Sequence, residues 1–317
     1  MIDYLAQAGR ATATYFNEPK TRGPATKLVV LGLLFCSVTQ SCRVGPDKLT
    51  KYLSRINTVI AEPYVLSRML EQLVGNLGFA AWVEPFCRPL LRLLSHAIVR
   101  NNPAARVRVT PSMLAALKVW HRVLERNRGL PYRYILNRLP PATSPIYVDA
   151  ATSTGCGGFH NREYFSFTHG DAQPYLCSCP GWEPFPAVPI AWLELLSAFV
   201  AILLFAPRYP GHILVLYSDN TNVVSWLGTR RPINPAVCFV VAAIDCIKYQ
   251  YLIKLSVRFI PSGRNRSADL LSRGAVPGWL SRLGTQIFPS MRTVADLINE
   301  RNLLNSWAKS VMPTTSV

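Results

Sequence analysis

Apolar residues at helical spacing dominate the first half of the chain. The clearest set recurs every three or four positions: Leu66, Met69, Leu70, Leu73, Val74 and Leu77. That spacing predicts a helix with one apolar face. An earlier helix is predicted from about Pro46 to Ile60, because Pro46 suits a first helical turn and Asp47 suits its positive end. The apolar run from Leu28 to Val38 predicts a strand or hairpin before these helices.

The second half of the chain alternates between strand-like and helix-like segments. Strands are predicted at 146–148, 164–168, 174–179, 213–217 and 255–260, and Gly155, Gly157 and Gly158 predict a flexible or closely packed continuation of the first strand. Helices are predicted at about 191–205, 222–227, 235–251 and 267–272. The order β-β-β-α-β-α-α-β-α predicts an α/β fold, a mixed five-stranded sheet with helices on its faces.

Composition and charge narrow the classes of protein. The chain has 317 residues, half of them apolar (50%) and few charged (16%), which fits two domains with real cores and excludes general disorder. Residues 1–140 contain 20 Lys+Arg against 7 Asp+Glu, whereas residues 141–317 contain 14 against 10. The basic excess therefore belongs to the first half. It favours a polyanionic partner, nucleic acid first and an anionic membrane second, although a basic surface also keeps proteins soluble.

Arginines with interleaved aromatic residues mark the segment from residue 86 to residue 138. The arginines are Arg88, Arg92, Arg100, Arg106, Arg108, Arg122, Arg126, Arg128, Arg133 and Arg138, and the aromatic residues beside them are Trp82, Phe86, Trp120, Tyr132 and Tyr134. Guanidinium groups bind phosphates, and aromatic rings stack on bases. Nucleic-acid contact is predicted for Arg88, Arg92, Arg106 and Arg108. The alternative is a solvated basic face.

Four acidic residues follow or interrupt apolar segments of the second half. Asp149 and Asp219 come at the ends of predicted strands, Glu194 lies within an apolar helix, and Asp269 begins the last predicted helix. A carboxylate in hydrophobic sequence is costly to bury unless it is paired or binds a metal. In the predicted order of elements these four acids converge.

Clustered carboxylates resist ionising together unless divalent cations neutralise them. The sequence therefore predicts two Mg²⁺ ions, with Mn²⁺ as the alternative, held by Asp149, Glu194, Asp219 and Asp269 and acting on a phosphodiester. Ser153 and Asn220 lie near these acids in the sequence and are predicted to position the substrate. The opposing interpretation is four incidental acids, because strand ends and helix starts attract Asp as a capping residue.

The eight cysteines show no Cys-x-x-Cys spacing and lie mostly in apolar segments, which predicts reduced core thiols. A zinc site of Cys156, Cys177, Cys179 and His169 is the weaker alternative, because its spacing matches no usual pattern.

The N-terminus lacks the pattern of a signal peptide, so an intracellular protein of the cytoplasm or nucleus is expected, not a secreted one. The apolar run from Ile190 to Ala206 contains Glu194 and predicts a buried helix, with no membrane partner.

Four segments surround the acids: Asp149-Ala-Ala-Thr-Ser-Thr-Gly-Cys-Gly-Gly, Leu193-Glu194-Leu195-Leu196, Ser218-Asp219-Asn220-Thr221 and Asn265-Arg266-Ser267-Ala268-Asp269-Leu270-Leu271-Ser272-Arg273. They resemble the acidic motifs of the ribonuclease H domain of retroelement polyproteins. The last segment is the most specific and is similar to that of DIRS-type and related retrotransposons. The resemblance implies a ribonuclease H-like fold and metal-dependent hydrolysis of the RNA strand of RNA–DNA hybrids, with the four acids as catalytic metal ligands.

Upstream segments carry a second resemblance: Asn17-Glu18-Pro19-Lys20-Thr21, Leu31-Gly32-Leu33-Leu34-Phe35, Gly45-Pro46-Asp47-Lys48-Leu49 and Leu73-Val74-Gly75-Asn76-Leu77-Gly78-Phe79-Ala80. In order, they look like the end of a reverse-transcriptase palm, its primer-grip hairpin, the start of its thumb and a thumb helix. No Tyr-x-Asp-Asp occurs in the sequence, and the fingers and most of the palm are not found before residue 15, so polymerase activity is not expected from this chain alone.

The motifs and the proline-rich run after residue 130 divide the chain into five expected parts. These are a palm and primer-grip remnant at 1–45, a mainly helical thumb or connection-like basic region at 46–138, a linker at 139–145, a ribonuclease H-like domain at 146–280 and a helical tail at 281–317. Two alternatives to the hybrid nuclease stay open. One is a non-catalytic nucleic-acid-binding protein derived from a retroelement, and the other is a two-metal nuclease of the integrase or transposase kind on the same fold.

Overall fold

The computed structural model describes residues 25–132, 139–142, 144–176 and 188–298. A four-stranded antiparallel sheet opens the described chain, in the order β1-β2-β3-β6, with β1 Lys27–Val30, β2 Leu33–Cys36, β3 Ser41–Val44 and β6 Leu130–Pro131. Leu31 and Gly32 connect β1 to β2 with positive φ angles of 52° and 83°, the backbone that two-residue hairpin turns require. The predicted hairpin is confirmed, and β3 is a strand that the sequence pattern did not predict.

Helices follow this sheet. They are α1 Pro46–Ala61, α2 Ser67–Ala80, the 3₁₀ segment Pro85–Leu90 with α3 Leu91–Ser95, and α4 Pro111–Arg126. A short antiparallel pair, β4 Tyr64–Leu66 and β5 Arg106–Arg108, lies among them. Thr110 caps α4 by accepting a hydrogen bond from the Met113 amide at 3.3 Å. The predicted mainly helical character of this region is confirmed for its described residues.

A six-stranded mixed sheet forms the second half, in the order β11-β10-β7-β8-β9-β12. Its strands are β7 Ile146–Ala150, β8 Gly155–His160, β9 Glu163–Thr168, β10 Ile213–Ser218, β11 Lys254–Phe259 and β12 Thr285–Gln286. The strands β7, β8 and β9 are antiparallel neighbours, whereas β10 runs parallel to both β7 and β11. This confirms the α/β, ribonuclease H-like fold class. The expected count of five strands was one too low, because β12 pairs with β9.

Seven helices among the described residues accompany this sheet. They are α5 His169–Leu176, α6 Ile190–Phe205, α7 Thr221–Thr229, α8 Pro235–Gln250, α9 Arg266–Ser272, α10 Gly278–Leu283 and α11 Met291–Ile298. Helix α6 packs against β7 and β8, α8 packs on α6, and the 3₁₀ segment Pro85–Leu90 packs on α8. Helix α9 also contacts β7 and β8. Hydrophobic core therefore runs from the sheet through α6 and α8 into the first half of the chain.

The predicted strand at 174–179 was wrong for its described residues, because 169–176 form α5 and the remainder lies outside them. A reciprocal cap starts this helix. The Thr168 amide donates to the Asp171 carboxylate at 2.8 Å, and the Asp171 amide donates to the Thr168 hydroxyl at 3.3 Å. The three-strand count before α6 still holds, because the glycine-rich segment 155–160 forms β8.

Helix α6 and the turn after it, Ile190–Arg208, form one segment of 19 residues that is apolar and long enough to cross a membrane. The fold explains the apolar composition without a membrane, because 78% of the most apolar stretch is buried between the sheet and α8. A helix that is covered on all sides is apolar on all sides. The prediction of a buried helix is confirmed.

Gly129 forms hydrogen bonds with residues of both halves of the chain. The Gly129 amide donates to the Glu84 carboxyl at 3.0 Å, and the Tyr249 hydroxyl of α8 donates to the Gly129 carbonyl at 2.5 Å. Glu84 is only 1% exposed, and its burial raises the pKa of its carboxyl to about 8. Its side chain is therefore mainly protonated at neutral pH.

Replacing Glu84 by Gln is expected to stabilise the protein at high pH. An acid whose pKa is about 8 when folded and about 4.3 when unfolded binds more protons in the folded state, so stability falls as pH rises between these values. Gln cannot ionise, and its oxygen can still accept the Gly129 amide. The gain in unfolding temperature over wild type should grow by several degrees from pH 5 to pH 9 in a thermal melt.

Glu71→Gln is the matched control, because Glu71 is an exposed acid of α2 and the change in charge is the same. A gain from Glu84→Gln that is identical at pH 5 and pH 9 would contradict the assignment of a buried, protonated Glu84.

Candidate active site

Strand pairing brings Asp149 and Asp219 to one place. In the parallel pair β7 and β10, Tyr147 lies opposite Tyr217. Two residues further along both strands, Asp149 and Asp219 are neighbours. Glu194, on the second turn of α6, completes a group in which one oxygen from each carboxyl lies within 4.8 Å of the other two.

Two polar side chains hold the Glu194 carboxyl. The Ser218 hydroxyl donates to Glu194 Oε2 at 3.2 Å, and the Asn220 side-chain amide donates to Oε1 at 3.2 Å. Asn220 also caps α7, because its Oδ1 accepts a hydrogen bond from the Asn222 amide at 2.8 Å. Asn220, which we predicted to position the substrate, therefore lies in the site as a partner of Glu194.

The strand that carries Asp149 is held from both faces. Ser197 of α6 donates to the Asp149 carbonyl at 2.7 Å, whereas Ser272 of α9 donates to Asp149 Oδ2 at 3.3 Å. The buried Asn265 side chain donates to the Val148 carbonyl at 2.9 Å. Sequence reasoning missed Ser197, Ser218, Asn265 and Ser272 as supporting residues. Ser197 could have been found, because it is a polar residue three positions after Glu194 in the same apolar helix.

The group is electrostatically unfavourable without a cation. Burial, with Asp219 and then Asp269 adding to it, raises the pKa of Asp149 to about 7. Burial, reinforced by Asp219 and Asp149 and opposed by the Asn220 hydrogen bond, raises the pKa of Glu194 to about 7. Asp219 Oδ1 is buried without a hydrogen-bond partner in the described part of the chain. A hard divalent cation fits this set, because it prefers oxygen ligands and would satisfy that free acceptor.

Asp269 lies outside this group of three. It is on α9, its side chain is 42% exposed, and its Oδ1 forms an ion pair with the Arg273 guanidinium at 2.8 Å. Its charge still acts on Asp149. The four predicted acids therefore form a buried triad with Asp269 at its edge.

The other predicted contact residues lie in three places. Ser153 is exposed in the turn between β7 and β8. Arg88 and Arg92 line a cavity with two arginines of the second half, whereas Arg106 and Arg108 are on β5, where the Arg106 guanidinium lies 5.7 Å from the centre of the Tyr64 ring.

Among the aromatic residues that we predicted to stack on bases, Phe86 and Trp120 are core residues, 1% and 0% exposed, whereas Trp82 is 73% exposed. Both side chains are part of the hydrophobic core, so a base-stacking role for them was the wrong expectation.

The six cysteines of the described chain are free and buried, as predicted for reduced core thiols. Cys156 donates to the Leu193 carbonyl at 3.4 Å, and His169 Nε2 contacts the Ala151 carbonyl at 2.8 Å. Cys177 and Cys179, the other members of the alternative zinc site, lie outside the described residues.

The sequence matches no described protein family and no curated protein. Among solved structures, it is similar to a foamy viral protease-reverse transcriptase in complex with an RNA/DNA hybrid, at 13% identity over 81% of this chain and 33% of that chain, with a TM-score of 0.33. It is also similar to a foamy viral protease-reverse transcriptase in complex with double-stranded DNA, at 12% identity over 74% of this chain and 38% of that chain, with a TM-score of 0.27. The chain spans about a third of the length of these proteins.

Proposed function

We propose that this chain is a metal-dependent endonuclease of the ribonuclease H type, which hydrolyses the RNA strand of RNA–DNA hybrids. The observation that carries the proposal is the buried triad Asp149, Glu194 and Asp219, whose oxygens lie within 4.8 Å of one another at the end of a ribonuclease H-like sheet. The motif resemblance supports a retroelement origin of the DIRS type, and the basic region 46–138 supports a nucleic-acid partner. Polymerase activity is not proposed for these 317 residues.

Mg²⁺ is the proposed ion, with Mn²⁺ as the alternative, and Asp149, Glu194 and Asp219 would hold it. Asp269, at the edge of the triad, is the proposed further ligand for a second ion. When bound, such ions activate the attacking water and stabilise the leaving oxygen of a phosphodiester. Ser218 and Asn220 would keep both oxygens of Glu194 oriented, and Ser272 would fix Asp149, so that the carboxylates need little rearrangement.

The test is incubation of the purified chain with Mg²⁺ and a duplex in which one strand is end-labelled RNA and the other is DNA. We expect cleavage of the RNA strand to 3′-hydroxyl and 5′-phosphate ends. We expect no cleavage of double-stranded DNA, because a hybrid-selective enzyme distinguishes RNA from DNA by the 2′-hydroxyl group. Equal cutting of double-stranded DNA would favour the integrase-type alternative. Binding of the hybrid without any cleavage would favour the non-catalytic alternative.

A further inference from the structure

Four arginines line one cavity of about 260 Å³, formed jointly by the two halves of the chain. Arg88 comes from the 3₁₀ segment and Arg92 from α3, whereas Arg230 and Arg231 directly follow α7. Ser95 adds a hydroxyl group to the lining. We call this cavity the arginine pocket.

The arginine pocket has a surplus of positive charge. Arg230 pairs with Asp245 at 3.3 Å, but the same carboxylate also binds the buried Lys248 at 2.5 Å. In the described ranges of the chain, no carboxylate lies within ion-pair distance of Arg88, Arg92 or Arg231. Guanidinium groups that face one cavity repel one another, and a bound anion removes that repulsion.

A second observation also points to an anion. The Nε atom of Arg92 is buried and has no hydrogen-bond partner among the described residues. A buried donor without a partner is costly. Rotation of the Arg92 side chain would open Nε to the cavity, where the paired oxygens of a phosphate or carboxylate satisfy guanidinium donors best. Phosphate is the better match here, because several arginines converge on one space and a phosphate presents more than two oxygens.

We propose that the arginine pocket binds a backbone phosphate of the nucleic-acid substrate. The site itself does not depend on catalysis, but its position relative to the cleaved bond rests on the proposed function. The pocket takes two arginines from each half of the chain. A phosphate bound there would therefore contact the basic first half and the ribonuclease H-like second half at once.

Helix α7 sets the distance between this pocket and the acidic triad. The helix starts after Asp219 and Asn220, and its nine residues end beside Arg230, so its two ends lie roughly 14 Å apart along its axis. One strand of B-form DNA advances about 3.4 Å per nucleotide along the duplex axis, so this separation would place the bound phosphate several nucleotides from the scissile one.

The first test compares two double variants with the same change in charge. Arg88→Gln with Arg231→Gln removes two exposed arginines of the pocket, whereas Arg282→Gln with Arg292→Gln removes two exposed arginines of α10 and α11. Affinity for a fluorescent RNA–DNA hybrid is measured in EDTA at several salt concentrations.

The pocket variant should lose about tenfold in affinity, and its slope of log affinity against log salt should flatten by about 0.9 for the one lost phosphate contact. The control variant should change much less. Equal losses in both variants would mean that only the general positive field matters, and the proposal would be wrong.

The second test neutralises one phosphate of the hybrid at a time with a methylphosphonate. In the wild type, neutralising any contacted phosphate should weaken binding, and at one of these positions the pocket variant should show no further loss, as expected for two changes to one contact. Coupling at no position on either strand would overturn the proposal. Where Mg²⁺-dependent cleavage is seen, the coupled position should lie several nucleotides from the cut, not at the scissile phosphate itself.

A free anion is the remaining source of a phosphate, and inorganic pyrophosphate is the probe for it. Pyrophosphate binding that requires Arg231, together with hybrid affinity that is unchanged in the pocket variant, would assign the pocket to a free anion and overturn the proposal. Because affinity is measured in EDTA, a protein that never cleaves hybrids can still pass these tests. Hybrid cleavage without coupling at any phosphate would contradict the proposed phosphate site and would still support the proposed nuclease activity.

Discussion

Replacement of Asp149 by Asn is expected to slow Mg²⁺-dependent cleavage of the hybrid by roughly 10³-fold or more, which corresponds to about 4 kcal/mol of activation free energy. Asp149 is 7% exposed and lies within 4.8 Å of both Glu194 and Asp219. Asn keeps the shape of the side chain but removes the charge that would hold the ion. Asp219→Asn should behave alike, because it removes the charge of another member of the same carboxyl group of three.

Loss of cleavage by Asp149→Asn should come with a gain in stability. Because the pKa of Asp149 is about 7 when folded and about 3.9 when unfolded, its contribution to stability falls as pH rises between these values and stays low above pH 7. In EDTA, the unfolding temperature of Asp149→Asn should therefore exceed that of wild type, and the difference should grow from pH 5 to pH 8. Mg²⁺ at pH 8 should raise the unfolding temperature of wild type much more than that of the variant.

Asp296→Asn is the control for this experiment, since Asp296 is an exposed acid of α11 and the change in charge is identical. Hybrid binding by Asp149→Asn should be retained or slightly tighter, because a negative charge near phosphate is removed. Wild-type cleavage by this variant would show that the acids are incidental capping residues.

The meeting of the three acids could be predicted from the sequence because local patterns determine it. Asp149 and Asp219 each end an apolar strand, and parallel neighbouring strands bring their ends together. Glu194 is an acid within a helix of apolar residues, so it had to face a polar site. The fourth acid differs, because Asp269 has Arg273 four residues later on the same helix face and forms a partly exposed pair with it.

The supporting contacts could not be predicted in the same way. Ser272 reaches Asp149 across 123 positions of sequence, and Ser197 reaches the same residue across 48. Such pairs depend on the packing of α6 and α9 against opposite faces of β7, which no short pattern specifies. The arginine pocket has the same origin, because it joins Arg88 and Arg92 to two arginines about 140 positions later.

Two local errors had different causes. The start of α5 was visible in the sequence, since Thr168 and Asp171 have the spacing of a reciprocal helix cap, and that signal was missed. Strand β8 was hidden, because Gly155, Gly157 and Gly158 have low strand propensity. Tertiary packing determines that this segment forms a strand. At Gly157 and Gly158, a Cβ atom would overlap residues of the adjacent strands and of α9.

Gly157→Ala should therefore damage both the fold and the site. A Cβ atom at residue 157 would lie 2.5 Å from the Leu271 carbonyl carbon, 2.6 Å from Leu271 Cβ and 2.6 Å from the Ser272 amide nitrogen. Helix α9 would have to move away from β8, with a cost of about 1–3 kcal/mol or more. That helix carries Asp269 and the Ser272 hydroxyl that donates to Asp149. We expect an unfolding temperature lower by several degrees and hybrid cleavage lower by at least about tenfold.

Gly170→Ala is the matched control, because a Cβ atom there would meet only the Thr168 hydroxyl oxygen, at 3.6 Å. Cleavage is compared per folded molecule at low temperature, which separates loss of the site from loss of the fold. Adding Leu271→Ala to Gly157→Ala should not restore activity, because the overlapping atoms are the Cβ and main chain that alanine also has. Wild-type stability and cleavage in Gly157→Ala would mean that α9 does not rest on β8 and does not position Asp149 through Ser272.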